Sequence, residues 1–239
     1  MYENSDMHKG GPDIDIDAWM RETTKDDQRR FNYCLPFVSG KRVLDFGCGH
    51  GGLLIRLKGI AETAVGVDRE NALVPHFREH GIPFSRSLDE VEGPFDVITL
   101  FHVLEHLEDP MAILLELKDL LAPGGQILIE VPNANDVLLQ LYDCEAFSNF
   151  TYWSFHLFLY TAETLSRLFR QIGASIRYIK HIQRYPLSNH LYWLAKQKPK
   201  GHHEWSFLDS PTLCEEYERQ LASIGMTDTL MASVSFAEA

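Results

Sequence analysis

The chain has 239 residues, 45% of them apolar, with 34 acidic against 22 basic side chains and a formal charge of −12. That is the composition of a folded domain with additions rather than of a disordered chain. The acidic balance speaks against nucleic acid and anionic membranes as partners. No run approaches the roughly 18 apolar residues of a membrane span, and the polar N-terminus has no apolar signal segment. Cys34, Cys48, Cys144 and Cys214 match no zinc or disulfide spacing, so reduced thiols and a cytoplasmic location are expected. Eleven histidines are many for such a chain, and their placement becomes the main question.

In chain order, residues 1–17 read as a disordered tail and 18–239 as a single domain. A helix is expected over Asp17–Tyr33. The strand Arg42–Phe46 runs into glycines and a helix at Leu53–Lys58. Ala64–Val67 is a strand ending at Asp68, and Asn71–His80 is a helix closed by Gly81. Phe95–Leu100 is a strand, Met111–Leu121 an amphipathic helix, and Pro123-Gly124-Gly125 a turn into the strand Gln126–Val131. Residues 134–160 form an aromatic lid with Tyr142, Phe147, Phe150, Tyr152, Trp153, Phe155, Phe158 and Tyr160. Thr161 caps a helix to Ile172, stopped by Gly173. Ser175–Ile182 is a strand, 184–227 a polar, partly helical insertion, and Thr229–Phe236 a last strand. Alternating strands and helices imply an α/β, doubly wound, mostly parallel sheet, with ligands at the carboxyl ends of its strands.

Val43-Leu-Asp-Phe-Gly-Cys-Gly-His-Gly-Gly52 joins a strand to a helix. Gly47, Gly49 and Gly51 permit a tight turn and close approach to a ligand. Asp68, about 20 residues on, stands where an acid holds ribose hydroxyls. The pair points to an adenosine cofactor. The loop is G-x-G-x-G-G rather than G-x-G-x-x-G, and Asp45 suits a cationic ligand better than a pyrophosphate.

Val43–Gly52, Ala64–Asp68, Phe95–Pro110 and Leu121–Ile129 together resemble the motifs of class I S-adenosylmethionine-dependent methyltransferases, over about residues 30–183. The resemblance implies a seven-stranded sheet with an antiparallel last strand and S-adenosylmethionine as cofactor. It places Gly47, Gly49 and Gly51 against the methionine moiety and Asp45 by its amino group or under the loop. Asp68, followed by Arg69, takes the ribose. Ser87 and Leu88 would meet the adenine, and Phe101 or His102 would lie under the cofactor. In some relatives the helix before strand one reaches the donor's carboxylate, which makes Arg29, Arg30 and Tyr33 candidates.

On the acceptor side, His102, Glu105 and His106 fall at i, i+3, i+4, and His156 follows in the lid. They are candidate catalytic residues, with imidazole as base. They are also candidate ligands of a divalent metal, by resemblance to a Glu-x-x-Glu-His … His arrangement in metal-dependent methyltransferases. A purely structural role is the third reading. The strand-four end lacks the motif of base-amine methylating enzymes, which again argues against nucleic acid. The expected partner is a small-molecule acceptor, first a sugar or surface-glycan precursor methylated on oxygen. The alternatives are a natural-product or quinone-type O-, N- or C-methyltransferase and a non-catalytic donor-binding subunit; a nicotinamide oxidoreductase comes last. The insertion, with Arg184, Tyr185, His190, Tyr192, Trp193 and Trp205, either lines the acceptor side or forms a contact between copies in a homo-oligomer. His202 and His203 are expected at its surface.

Overall fold

The computed structural model describes residues 14–152 and 156–237. Residues 1–13 of the expected tail, and Trp153 and Phe155 of the lid, lie outside them. Asp15 caps α1 (Ile16–Val38) by accepting from the Ala18 N–H at 2.8 Å. The helix runs past its predicted end at Tyr33 and contains Pro36. Burial of Cys34 and Val38, both 0% exposed, offsets the backbone bond that proline removes.

There follow β1 (Arg42–Phe46), α2 (Gly52–Leu57), β2 (Thr63–Val67), α3 (Leu73–His80), the short β3 (Phe84–Ser85), β4 (Phe95–Phe101) and α4 (Pro110–Asp119). Next comes β5 (Leu121–Pro132), which starts five residues before the predicted Gln126 and takes in the expected turn. Its glycines explain this. Gly124 adopts φ +72°, and a Cβ on Gly125 would stand 2.9 Å from the Ala122 carbonyl oxygen and 3.1 Å from that of Asp96. Only a residue without a side chain lets the backbones pass so closely. The lid residues form α5 (Val137–Gln140) and α6 (Glu145–Thr151). After α7 (Ala162–Gln171) and β6 (Ala174–Ile182), the insertion is mostly helical: α8 (Leu187–Lys196), α9 (Gly201–Glu204) and α10 (Pro211–Ser223), before β7 (Thr229–Phe236). Thr161 is the α7 cap, in a reciprocal pair with Thr164.

The strands form one mixed seven-stranded sheet in the order β3-β2-β1-β4-β5-β7-β6. β1 pairs in parallel with β2 and with β4, and β2 with β3. The order reverses direction at β1 and β4, the place where a doubly wound sheet opens a ligand crevice. Val43, Leu44, Ile98 and Leu100 are 0% exposed, as expected for strands covered on both faces. Among the described residues, no helix is long and apolar enough to cross a membrane.

Two compact units can be distinguished: one with Met1–Phe101, Leu115–Leu128 and Ser235–Ala239, the other with His102–Leu114 and Ile129–Val234. In the first, Phe77 is 1% exposed and stacks on Phe84, with centroids 4.3 Å apart. Truncating Phe77 to alanine should cost about 3–5 kcal/mol, read as a drop in the urea midpoint.

Candidate functional site

The first unit carries the residues assigned to the donor, apart from His102, the alternative to Phe101. Between β1 and α2 the N–H groups of Gly47 and Cys48 both donate to the Val67 carbonyl, at 2.7 and 3.1 Å. Gly49 and Gly51 take φ +52° and +75°. A Cβ at Gly49 would stand 2.9 Å from the Trp19 ring, and one at Gly51 2.6 Å from Phe77. Conformation and space both require glycine there. The Asp68 carboxylate accepts from the Gly49 N–H at 2.9 Å and the Glu70 N–H at 3.0 Å. A carboxylate has about four acceptor positions, so these two bonds leave it able to take vicinal hydroxyls.

Asp45 points into the sheet, 5% exposed, and accepts from the Thr99 hydroxyl at 2.6 Å. Burial pushes its carboxyl up to about 7, against the Thr99 hydrogen bond and the Arg30 charge. A buried acid of this kind ionises readily only when a cation arrives. Ser87 caps a short 3-10 turn, Leu88–Glu90, and its Oγ accepts from the Asp89 N–H at 3.3 Å. The Arg69 carbonyl receives a long bond of 3.5 Å from Arg86. Phe101 closes β4, 7% exposed, with the Arg30 guanidinium 5.4 Å from its ring centre. Of the pre-strand candidates Arg30 is buried, whereas Arg29 pairs with Asp26 at 3.1 Å and Tyr33 lies by Phe37.

His50 belongs to the same loop, and Trp19, Thr23 and Asp27 of α1 pack against it; none of the four stands out in the sequence. The three α1 residues repeat every four positions, which marks one helix face. Thr23 Oγ1 lies 2.7 Å from His50 Nε2 and 3.0 Å from Asp27 Oδ2, all three residues being buried.

The second unit carries the acid–histidine group. His102 sits at φ +57°, unusual for a non-glycine, with its N–H donating to the Glu130 carbonyl at 2.8 Å. Its Nδ1 is 3.0 Å from Glu105 Oε1, and its Nε2 is 3.0 Å from Glu130 Oε1 and 2.8 Å from Arg184 Nη1. A carboxylate only accepts, so the hydrogen bond to Glu105 places a proton on Nδ1. Glu105 and Glu130 are both 0% exposed. Burial opposes ionisation of Glu105, but the His102 hydrogen bond and the charges of His102 and His106 prevail and hold its carboxyl below the usual range.

His106 and His156 have ring centres 5.0 Å apart. His156 Nδ1–H donates to the Thr151 carbonyl at 2.9 Å, which puts the lone pair on Nε2. Burial holds the His156 ring below the usual imidazole value, more than the Thr151 bond and Glu105 raise it. Glu105, His106 and His156 each offer one ligand atom, all within 4.8 Å of one another, and Glu105 Oε2 is buried without a hydrogen-bond partner. His102 stands beside this trio rather than in it, its ring nitrogens facing the two acids. Glu130 reads as an ordinary strand residue in the sequence and went unnoticed.

In the insertion His190 is 1% exposed, bonded to the Tyr217 hydroxyl at 2.7 Å, with burial pushing its ring down to about 4. His203 is exposed as expected. His202 is half-buried against Tyr185 and Asn189, because α9 turns it inward.

Residues 18–179 match a family model described as a methyltransferase domain. A ubiquinone biosynthesis O-methyltransferase of Acinetobacter baylyi is 26% identical over 176 residues, 66% of this chain and 73% of that protein. One of the same description from Azotobacter vinelandii is 36% identical over 110 residues, 41% of this chain and 47% of the relative. The chain thus spans about half the length of this and several further relatives that it matches. A solved S-adenosylmethionine-dependent methyltransferase of Archaeoglobus fulgidus superposes with a TM-score of 0.58 at 24% identity, over 92% of this chain and 99% of that one. A cyclopropane synthase of Mycobacterium tuberculosis gives 0.58 at 16% identity, over 87% and 83%. Both share the fold.

Proposed function

Because the chain belongs to the methyltransferase domain family and is an S-adenosylmethionine-dependent methyltransferase acting on a small molecule, we propose that it methylates a hydroxyl oxygen of a quinol-type aromatic acceptor, with His156 as the base. The observation that carries this reading is the His156 tautomer, set by the Thr151 carbonyl so that Nε2 is the basic nitrogen. The donor methyl is already activated on a sulfonium, so the protein has to align the attacking oxygen and dispose of its proton. In the transfer the acceptor oxygen bonds to the methyl carbon, the carbon–sulfur bond breaks to leave the thioether, and the hydroxyl proton passes to His156 Nε2. Relatives named for ubiquinone biosynthesis favour a phenolic acceptor over the sugar expected from the sequence. The test is a competition: a catechol bearing an apolar chain should be methylated, and a sugar nucleotide should not. Methylation of the sugar alone would overturn the reading.

The buried, unpartnered Glu105 Oε2 favours a second reading, in which Glu105, His106 and His156 hold a divalent cation. Carboxylate and imidazole suit such an ion, which when bound would hold and acidify an acceptor hydroxyl. The two readings separate on chelation. With His156 as base, activity survives exhaustive treatment with a chelator. Loss of activity, restored by stoichiometric metal, would assign the proton chemistry to the ion instead.

A further inference from the structure

In the second unit, Glu105 Oε2 and the Tyr160 hydroxyl are buried and have no hydrogen-bond partner among the described residues. Glu105 is 0% and Tyr160 6% exposed. The backbone brings the two residues together. The Glu105 carbonyl accepts from the N–H groups of Leu157 and Phe158, at 2.9 and 3.2 Å. Two residues on, Tyr160 bridges Asn133, and its carbonyl accepts from the Ala134 N–H at 2.8 Å. The Tyr160 ring stacks on Phe158, with centroids 6.1 Å apart. Tyr160 is thus anchored past the end of β5, as Glu105 is past the end of β4, and the Glu105 charge reaches its hydroxyl. Native structures rarely leave a buried polar atom unmet, so two such atoms in one place point to a bound group that supplies what both need.

Their chemistry specifies that group. Glu105 Oε1 accepts from His102 Nδ1–H at 3.0 Å, so Oε2 is left to accept. The Tyr160 phenol keeps its proton, because burial, and after it the Glu105 charge, push it above the ordinary tyrosine value. It is left to donate. The missing partner must therefore donate to Glu105 and accept from Tyr160, and a hydroxyl does both. A carbonyl or ether oxygen would leave Glu105 unmet, and an ammonium would leave Tyr160 unmet. With His156 as base, the hydroxyl under attack gives its proton to Nε2, so the partner is a second hydroxyl beside it. Glu105 and His156 each offer an atom within 4.8 Å of the other, which suits two oxygens on neighbouring carbons.

We propose that Glu105 and Tyr160 hold the acceptor hydroxyl that is not methylated, Glu105 Oε2 accepting from it and Tyr160 donating to it. The inference rests on the phenolic reading above, with His156 as base. It makes Tyr160 a specificity-determining residue. The pair selects aromatics with two neighbouring hydroxyls and presents only one of the two oxygens to His156.

The test compares kcat/KM of wild type and Tyr160→Phe for an alkyl-substituted catechol and for the matching alkylphenol, which lacks the second hydroxyl, with chelator present throughout. Tyr160→Phe keeps the ring on Phe158 and removes only the hydroxyl. Wild type should favour the catechol by about tenfold or more and form a single monomethyl ether. The variant should lose about tenfold on the catechol, mostly through KM, should use the alkylphenol as wild type does, and should form both ethers. Equal losses on the two substrates would mean a structural role and overturn the proposal, as would an unchanged catechol rate in the variant or a wild type that treats the two substrates alike. Loss of activity to the chelator would also overturn it, since Glu105 Oε2 would then serve a metal. If Tyr160→Phe does not fold, the wild-type preference and its single ether decide. A wild type that methylates neither phenol but does methylate a sugar nucleotide would instead overturn the phenolic reading on which the proposal rests.

Discussion

His156→Ala will lower kcat by about 10²–10⁴-fold, the usual contribution of a positioned general base, with the affinity for S-adenosylhomocysteine unchanged. The two effects separate because His156 lies in the second unit, whereas the glycine loop, Asp45 and Asp68 lie in the first. The Thr151 carbonyl fixes the Nδ1 proton, and burial keeps the ring neutral. A base held below the usual imidazole value stays competent as the pH falls through the mid-sixes. The acid limb of the kcat profile should therefore lie below that range in wild type and vanish in the variant. His156→Gln should be no better than alanine, since an amide fills the space but cannot take the proton. A variant with kcat within about threefold of wild type would remove His156 from the mechanism.

Asp45→Asn should stabilise the protein at pH 8 and weaken donor binding. The folded-state carboxyl is raised to about 7 from an ordinary value of 3.8. Its contribution to stability is then complete below about pH 4 and lost as the pH rises through 7, because folding favours the protonated form. At pH 8 the wild type bears this cost, a few kcal/mol from a shift of about 3 units at 1.36 kcal/mol each. Asparagine has no proton to lose, and its carbonyl can still accept from the Thr99 hydroxyl. Urea midpoints of the two proteins should agree at pH 4 and separate at pH 8, with the variant the more stable. S-Adenosylhomocysteine should bind the variant about 10–100-fold more weakly, the scale of a lost charged hydrogen bond. Higher stability with full affinity would leave Asp45 a structural acid only.

The donor side was legible because its signals are local. Glycine spacing, the preceding strand and an acid at the end of the next strand lie within one βαβ unit, and the sheet brings Asp68 to the Gly49 N–H. The partners of that loop were not legible. Trp19, Thr23 and Asp27 reach it through tertiary packing, and polar residues on a helix face read as solvated. His102 shows the same limit. Its i, i+3 spacing to Glu105 was visible, but Glu130, at the other ring nitrogen, is brought there only by strand pairing. The start of β5 was misplaced because Pro123-Gly124-Gly125 is strong turn chemistry. Close approach of the Asp96 backbone puts Gly125 to a different use. His202, expected at the surface, is half-buried, and a four-residue helix leaves no periodicity from which to read that.

The central claim, methyl transfer from S-adenosylmethionine to a phenolic oxygen, is tested most directly by mass spectrometry with a ¹³C-methyl donor and an alkyl-substituted catechol. The account predicts one labelled methyl on a catechol oxygen for each S-adenosylhomocysteine released. Label on carbon or nitrogen, or no product from the catechol while a sugar acceptor is methylated, would contradict it.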